Sequence, residues 1–116
     1  IALVRLIAPT SVPGRLPLLT QHANGYLYYV SITGITGAGS ATAGDVAEKI
    51  AHIRAATNLP VCVGFGIKTP ADVAAMAPLA DGVVVGSALV NHIETTGADV
   101  NSFSAYVRSL ADGCTR

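Results

Sequence analysis

The sequence predicts an α/β fold in which helices cover a parallel sheet. Short apolar runs alternate with helical patterns four times along the 116 residues. The runs are apolar throughout, which is typical of strands buried on both faces. Strands that are joined by helical crossovers pair in parallel. Four such units make either a small open sheet or half of an eight-stranded barrel, and we expect a single unit over residues 1–116 with no internal boundary.

The first two strands and the helix between them follow from apolar spacing. Residues 1–8 form the first strand, and a helix begins near Pro13 with Leu16 and Leu19 on one face. Residues 26–31 are rich in Tyr and Val and form the second strand.

A long loop and the second helix come next. Residues 32–43 are rich in glycine, threonine and alanine, and this composition predicts a loop. Residues 44–57 are then helical, because Val46, Ile50 and Ile53 recur on one helical face.

The third unit carries the clearest local signals. Residues 61–65 form a short apolar strand, and Thr69, Pro70 and Asp72 together predict a capped helix start. Pro78 ends that helix, since proline disfavours helical geometry in the residue before it.

The fourth unit contains one strand and two helices. Residues 82–86 form the strand, residues 87–92 a short extra helix, and the last helix follows Asn101. Four apolar side chains of the last helix recur at helical spacing: Phe103, Tyr106, Val107 and Leu110.

The two outer strands carry no polar or charged device to protect their edges, so both are expected to lie inside a larger sheet. This favours half a barrel that needs further strands, or a second copy, for closure. The chain also opens at Ile1 inside a predicted strand without an initiator methionine, so we expect a fragment of a longer protein.

Composition argues against several classes of protein. Seven basic and seven acidic residues cancel and form no block, which argues against a nucleic-acid surface. No run approaches the ~18 apolar residues of a membrane span. Cys62 and Cys114 fit no metal spacing, so two free thiols in a reducing cytoplasm are expected.

In parallel α/β folds, ligands bind where the strands end at their carboxyl termini. Gly66 follows the third strand, and Gly86 with Ser87 follows the fourth at the start of a helix. Glycine allows close backbone approach, and a helix start presents N–H groups to an anion. Each glycine alone is better explained as a tight turn, but the two turns and the helix together predict a phosphate site.

Groups for proton transfer are scarce at these strand ends, where the sequence has no Asp, Glu or His. His22, His52 and His92 are assigned to helix surfaces, His92 near the end of its short helix. We therefore predict no catalytic residue and no metal site here, and a segment that binds substrate rather than converts it.

Four blocks of sequence resemble the tryptophan synthase α subunit, in the same order and at similar spacing. They are LIAPT at 6–10, YYVSITGITGA at 28–38, PVCVGFGI at 60–67 and VVGSALV at 84–90. The resemblance implies strands 5–8 of a (β/α)8 barrel and cleavage of indole-3-glycerol phosphate to indole and glyceraldehyde 3-phosphate.

The resemblance also implies roles for individual residues. Gly66, Gly86 and Ser87 would hold the phosphate, and Gly37 would contribute from the loop after strand 6. Tyr28 would border the substrate. The remaining implied residues are Phe65, which would also border the substrate, and Gly34 and Thr36, which would belong to the loop that closes over it.

The family's glutamate and aspartate acid–base pair would lie upstream of Ile1, so the 116 residues alone are expected to be inactive. The family pairs with a β subunit in an α2β2 complex, and pyridoxal phosphate belongs to that partner, so no cofactor is expected in this chain. Two alternatives stay open at this point. One is another phosphate-binding barrel, such as a sugar-phosphate isomerase or epimerase, and the other is a non-catalytic half barrel.

Overall fold

The computed structural model describes residues 1–10, 13–31, 43–64 and 66–115. Within these ranges the chain forms a four-stranded, fully parallel sheet with the strand order β1-β2-β3-β4. The strands are β1 (Arg5–Ile7), β2 (Leu27–Val30), β3 (Val61–Gly64) and β4 (Gly82–Val84). The helices are α1 (Leu16–Thr20, after a 3-10 turn at Pro13–Arg15), α2 (Ala43–Ala56), α3 (Pro70–Met76), α4 (Ser87–Thr96) and α5 (Val100–Asp112).

The main core lies between one face of the sheet and the helices. Val46, Ile50 and Ile53 of α2 are buried, which confirms the predicted apolar face. They pack with alternate residues of the strands, because successive strand side chains point to opposite faces. The strand residues in this cluster are Ile7, Leu27, Tyr29, Val61 and Val63. Each fully buried aliphatic side chain stabilises the folded state by about 1.5–3 kcal/mol.

A second, smaller cluster lies beside β4. Its buried members are Ile67, Val73 and Leu110, which come from the turn after β3, from α3 and from α5. Partly buried side chains pack against them, including Val85, Leu89 and Tyr106. This second cluster joins the last two helices to the turn after β3.

The described part of the chain leaves the other face of the sheet partly exposed, and we call this the open face. Leu6 points to this face and is 66% exposed, whereas the next residue, Ile7, is 2% exposed. The residues that share this face are Leu6, Tyr28, Val30, Cys62, Gly64, Gly82 and Val84. They are mostly apolar, and all except Gly64 are partly or fully exposed.

The first strand is shorter than predicted, since only three of the eight expected residues pair. Gly25 has a φ of +84° just before β2, and this turn interrupts the partner strand. Instead of continuing the ladder, Leu3 accepts a hydrogen bond of 3.0 Å from the Asn24 N–H and donates to the Asn24 side chain.

The last two helices also differ from their predicted limits. Helix α4 continues past His92 to Thr96 and ends at Gly97, which has a φ of +67° and donates its N–H to the Ile93 carbonyl. Helix α5 is capped by Asp99, which accepts from the N–H groups of Asn101 and Ser102, so the prediction of a start after Asn101 was wrong by one or two residues. Among the described residues, no helix is long and apolar enough to cross a membrane.

Candidate functional site

The two predicted phosphate-binding turns lie at the same edge of the sheet. Gly64 at the end of β3 is paired with Val84 at the end of β4, in parallel register. Gly66 and Gly86 each follow two residues after these partners. Both turns therefore leave adjacent strands at the carboxyl edge, where ligands bind in parallel α/β folds.

The turn after β3 is held in place from several sides. Gly66 has a φ of +74°, a conformation that side chains other than glycine rarely adopt. The next residue, Ile67, is 7% exposed and anchors the turn in the second cluster. Asp72 then accepts hydrogen bonds from the N–H groups of Lys68 at 3.0 Å and Thr69 at 2.8 Å.

The same aspartate completes the helix start predicted from the sequence. Thr69 accepts from the Asp72 N–H at 3.1 Å, and Pro70 occupies the first turn of α3, so the capping box is confirmed. The backbone N–H groups of Lys68 and Thr69, together with the Thr69 hydroxyl, hold the pKa of Asp72 below its ordinary value. The Asp72 carboxylate therefore fixes the turn after β3.

Helix α4 begins directly at the other turn. The Gly86 carbonyl accepts from Leu89 at 2.9 Å and from Val90 at 3.2 Å. The N–H groups of Ser87 and Ala88 precede these first intrahelical bonds, and such groups at a helix start attract anions. Gly86 and Ser87 are exposed, and a Cβ added to Gly86 would meet nothing within 4 Å.

Tyr28 lies on the open face of the sheet, next to Gly64. A Cβ on Gly64 would overlap the Tyr28 hydroxyl and would stand 3.0 Å from the ring carbon that bears it. The ring therefore leans across β3 and fills the space that a side chain at position 64 would occupy. This brings the hydroxyl from the middle of β2 to the carboxyl end of β3.

Ser31 was missed by the sequence reasoning, although it is the buried polar residue of the described core. Its backbone N–H and its hydroxyl both donate to the Gly64 carbonyl, at 3.0 and 3.1 Å. These two bonds fix the end of β2 to the end of β3. A small polar residue at the end of a predicted apolar strand was the available signal.

Four predicted site residues lie outside the described ranges: Gly34, Thr36, Gly37 and Phe65. Their roles stay predictions. The structure thus brings together Gly66, Gly86 and Ser87 at one edge, with Tyr28 on the adjoining open face.

Two of the described titratable residues, Asp81 and Tyr29, lie away from this edge. Asp81 accepts from the Val61 N–H at 2.8 Å and pairs with Arg54 at 3.1 Å, both at the amino end of β3 and β4. Burial, with a contribution from Asp45, raises the pKa of Tyr29, whose side chain faces the helices. Cys62 and Cys114 are free thiols, and no cluster of potential metal ligands occurs in the described part of the chain.

His92 lies on a helix, as predicted, but it is partly buried and not near the end of that helix. It lies in the middle of α4 and stacks on the ring of Tyr106, with centroids 4.7 Å apart. Its Nε2 atom lies 3.0 Å from the hydroxyl of Ser102.

Comparison with known proteins identifies the family. A family model described as tryptophan synthase alpha chain matches residues 1–114. The chain belongs to the tryptophan synthase alpha chain family. The tryptophan synthase alpha chain of Caulobacter sp. (strain K31) is 56% identical over 94 residues, which are 81% of this chain and 34% of the relative. That of Chloroflexus aurantiacus is 45% identical over 116 residues, 98% of this chain and 44% of the relative.

Solved structures agree with this assignment. Tryptophan synthase subunit alpha from Campylobacter jejuni superposes with a TM-score of 0.83 at 34% identity, over 95% of this chain and 44% of that protein. Tryptophan synthase subunit alpha from Legionella pneumophila superposes with a TM-score of 0.80 at 34% identity, over 98% of this chain and 42% of that protein. The chain thus spans less than half the length of these members of the tryptophan synthase alpha family. Its four parallel strands and their helices are half of a (β/α)8 barrel, as predicted, and the open face corresponds to the barrel interior.

Proposed function

We propose that this chain is the phosphate-binding half of an enzyme of tryptophan biosynthesis. The reaction would be the aldol-type cleavage of indole-3-glycerol phosphate to indole and glyceraldehyde 3-phosphate. Two glycine turns carry the proposal. The Gly66 turn follows the end of β3, the Gly86 turn follows the end of β4, and these two strand ends are paired side by side. Membership of the tryptophan synthase alpha family supports this reaction over that of a sugar-phosphate isomerase or epimerase.

The proposed phosphate site uses backbone groups. The N–H groups of Ser87 and Ala88 start α4, where the helix dipole favours a negative charge. Gly66 adds a turn that approaches the same edge with no side chain in the way. The Ser87 hydroxyl, which is exposed at the helix start, can donate one more hydrogen bond to a phosphate oxygen.

The proposed organic part of the substrate lies along the open face. Tyr28 supplies an aromatic surface there, and its ring fills the space that a side chain on Gly64 would occupy. Phe65 would border the substrate on the side of the phosphate turn. Gly34, Thr36 and Gly37 would belong to a loop that closes over the site, excludes water and adds a contact to the phosphate.

Proton transfer is assigned to groups outside these 116 residues. General acid–base catalysis needs a positioned acid or base, and the described carboxylates Asp72 and Asp81 are used in backbone hydrogen bonds. A glutamate and an aspartate in the other half of the barrel would serve, so the 116 residues alone should be inactive. The complete protein would need no cofactor of its own. It would pass indole to a pyridoxal-phosphate-dependent β subunit in an α2β2 complex in the cytoplasm.

A chimaera tests the proposed activity. This chain would replace the matching segment of the Chloroflexus aurantiacus relative, which it matches over 98% of its own length. We expect the folded chimaera to release indole from indole-3-glycerol phosphate, and Ser87→Asp to raise KM by roughly tenfold or more, because a carboxylate at the helix start competes with phosphate.

Ser104→Asp is the matched control, because Ser104 is also exposed and lies on α5. It adds the same charge away from the proposed site and should leave KM unchanged. A folded chimaera that releases no indole would overturn the proposed reaction. Equal KM values for the two variants would overturn the proposed phosphate site.

A further inference from the structure

The two turns of the proposed phosphate site are linked by a third element, helix α5. Both turns lie beyond the paired residues of their strands, so the strand pairing alone does not fix the turn after β3 relative to the start of α4. The side chain of Tyr106 on α5 contacts both elements.

The first contact is with the turn after β3. The Tyr106 hydroxyl donates a hydrogen bond of 2.6 Å to the backbone carbonyl of Lys68, two residues after Gly66. This distance is typical of a well-formed O–H···O bond. The ring of Tyr106 also packs on the second cluster, which contains the buried side chain of Ile67.

The second contact is with α4. The Tyr106 ring stacks on His92 at a centroid distance of 4.7 Å and an interplanar angle of 21°. The position of His92 is fixed in turn by Ser102, whose hydroxyl lies 3.0 Å from Nε2. Leu89, in the first turn of α4, packs on the second cluster as well.

We infer that Tyr106 is a positioning residue, which holds the Gly66 turn and the start of α4 at the separation that one phosphate group requires. That the bound group is a phosphate rests on the proposed function. That Tyr106 holds the two turns in place is a separate claim, which applies to the protein without ligand. Tyr106 touches no substrate and acts only through Lys68 and His92.

The test compares Tyr106→Phe with Ser109→Ala in the full 116-residue chain. The first variant removes the hydroxyl that reaches Lys68 and keeps the ring that stacks on His92. The second removes a hydroxyl bond of 2.7 Å from Ser109 to the Tyr106 carbonyl, within the same helix. Ser109→Ala therefore reproduces the loss of one hydrogen bond without disturbing the turn after β3.

Two readouts separate positioning from general stability. Without ligand, residual dipolar couplings report the relative orientation of the Gly66 and Ser87 N–H bonds. They should change in Tyr106→Phe and not in Ser109→Ala. With inorganic phosphate as the probe, the Kd should rise about three- to tenfold in Tyr106→Phe, which is the equivalent of one hydrogen bond, and stay constant in Ser109→Ala.

The outcomes distinguish the two claims. Couplings that are the same in Tyr106→Phe and the unmodified chain would overturn the positioning role, whatever the phosphate result. Changed couplings in a chain whose unmodified form binds no phosphate would support the positioning role and overturn the proposed site. An equal rise of Kd in both variants would mean that Tyr106 acts only through stability, and would also overturn the inference.

Discussion

The ring of Tyr28 occupies the space above Gly64, so that an aromatic side chain of β2 covers a glycine of β3. A Cβ at position 64 would overlap the Tyr28 hydroxyl and would also stand 3.0 Å from the Val84 carbonyl oxygen. The same relationship recurs on the next pair of strands, where a Cβ on Gly82 would lie 2.9 Å from the Cys62 sulfur. On this open face, glycines in one strand make room for larger side chains of its neighbour.

We expect Gly64→Ala to destabilise the chain by about 1–3 kcal/mol, because the added methyl group overpacks the face against the Tyr28 ring. Urea denaturation measures the loss as a lower midpoint with an unchanged slope. Gly14→Ala is the control, since a Cβ on Gly14 would meet nothing within 4 Å.

The double variant Tyr28→Ala with Gly64→Ala tests the cause. Removal of the ring should recover part of the loss, so the two substitutions should show a coupling of at least about 0.5 kcal/mol. Strictly additive effects would contradict the contact between Tyr28 and Gly64.

Acid should weaken the turn after β3 through Asp72. Its pKa is lower in the folded chain than in the unfolded chain, where it is about 3.9. The stabilisation by Asp72 is therefore complete above the unfolded pKa and is lost as the pH falls through the folded pKa. Asp72→Asn, which cannot ionise, should show a smaller loss of stability between about pH 5 and pH 2 than the unmodified chain.

At neutral pH, Asp72→Asn should cost about 1 kcal/mol, since it weakens the cap of α3 and leaves poorer acceptors for Lys68 and Thr69. The charge itself contributes little because the carboxylate is partly exposed and therefore screened. Thermal melts over a pH series give both results. Parallel pH profiles for the two proteins would exclude Asp72 as the source of the acid dependence.

The two thiols should react at different rates. Burial, with a contribution from Asp81, raises the pKa of Cys62, whereas Cys114 is exposed. Because the thiolate is the nucleophile, iodoacetamide at pH 8 should modify Cys114 several times faster than Cys62. Mass spectrometry of the digested protein measures both rates, and faster modification of Cys62 would contradict the packing of the open face around it.

The hydrogen bond that Asp81 accepts from the Val61 N–H should stabilise the fold more than the ion pair of Asp81 with Arg54. It accepts from the Val61 N–H and also donates its own N–H to the Val61 carbonyl, both at 2.8 Å. Asp81→Ala should cost about 1–3 kcal/mol because it leaves the Val61 N–H without this acceptor. Arg54→Ala should cost less than about 1 kcal/mol, since the ion pair is nearly half exposed.

Asp81→Asn keeps an acceptor at the same place and serves as the control for the charge. Its unfolding free energy should lie closer to that of the unmodified chain than to that of Asp81→Ala. The reverse order would mean that the ion pair, not the hydrogen bond, stabilises the amino end of the sheet.

Features that depend on neighbouring residues were predictable from the sequence. The capping box at Thr69 and Asp72 and the apolar face of Val46, Ile50 and Ile53 were confirmed, because each is set within one or two helical turns. The parallel pairing of the strands followed from the alternation of strands and helices. The position of Gly66 and Gly86 at the same carboxyl edge of the sheet also followed from this alternation.

Features that depend on distant residues were not predictable. Tyr106 and Lys68 are 38 residues apart, and their hydrogen bond exists only because α5 packs beside α3. The lean of Tyr28 over Gly64 likewise needs the register of two strands.

The most direct test of the central claim is a titration of the isotopically labelled 116-residue chain with glycerol 3-phosphate, followed through backbone amide resonances. The amides of Gly66, Gly86 and Ser87 should shift together and give one common Kd, and the same residues should respond to inorganic phosphate. Shifts confined to other residues, or unrelated Kd values for the two turns, would contradict a single anion site at the ends of β3 and β4.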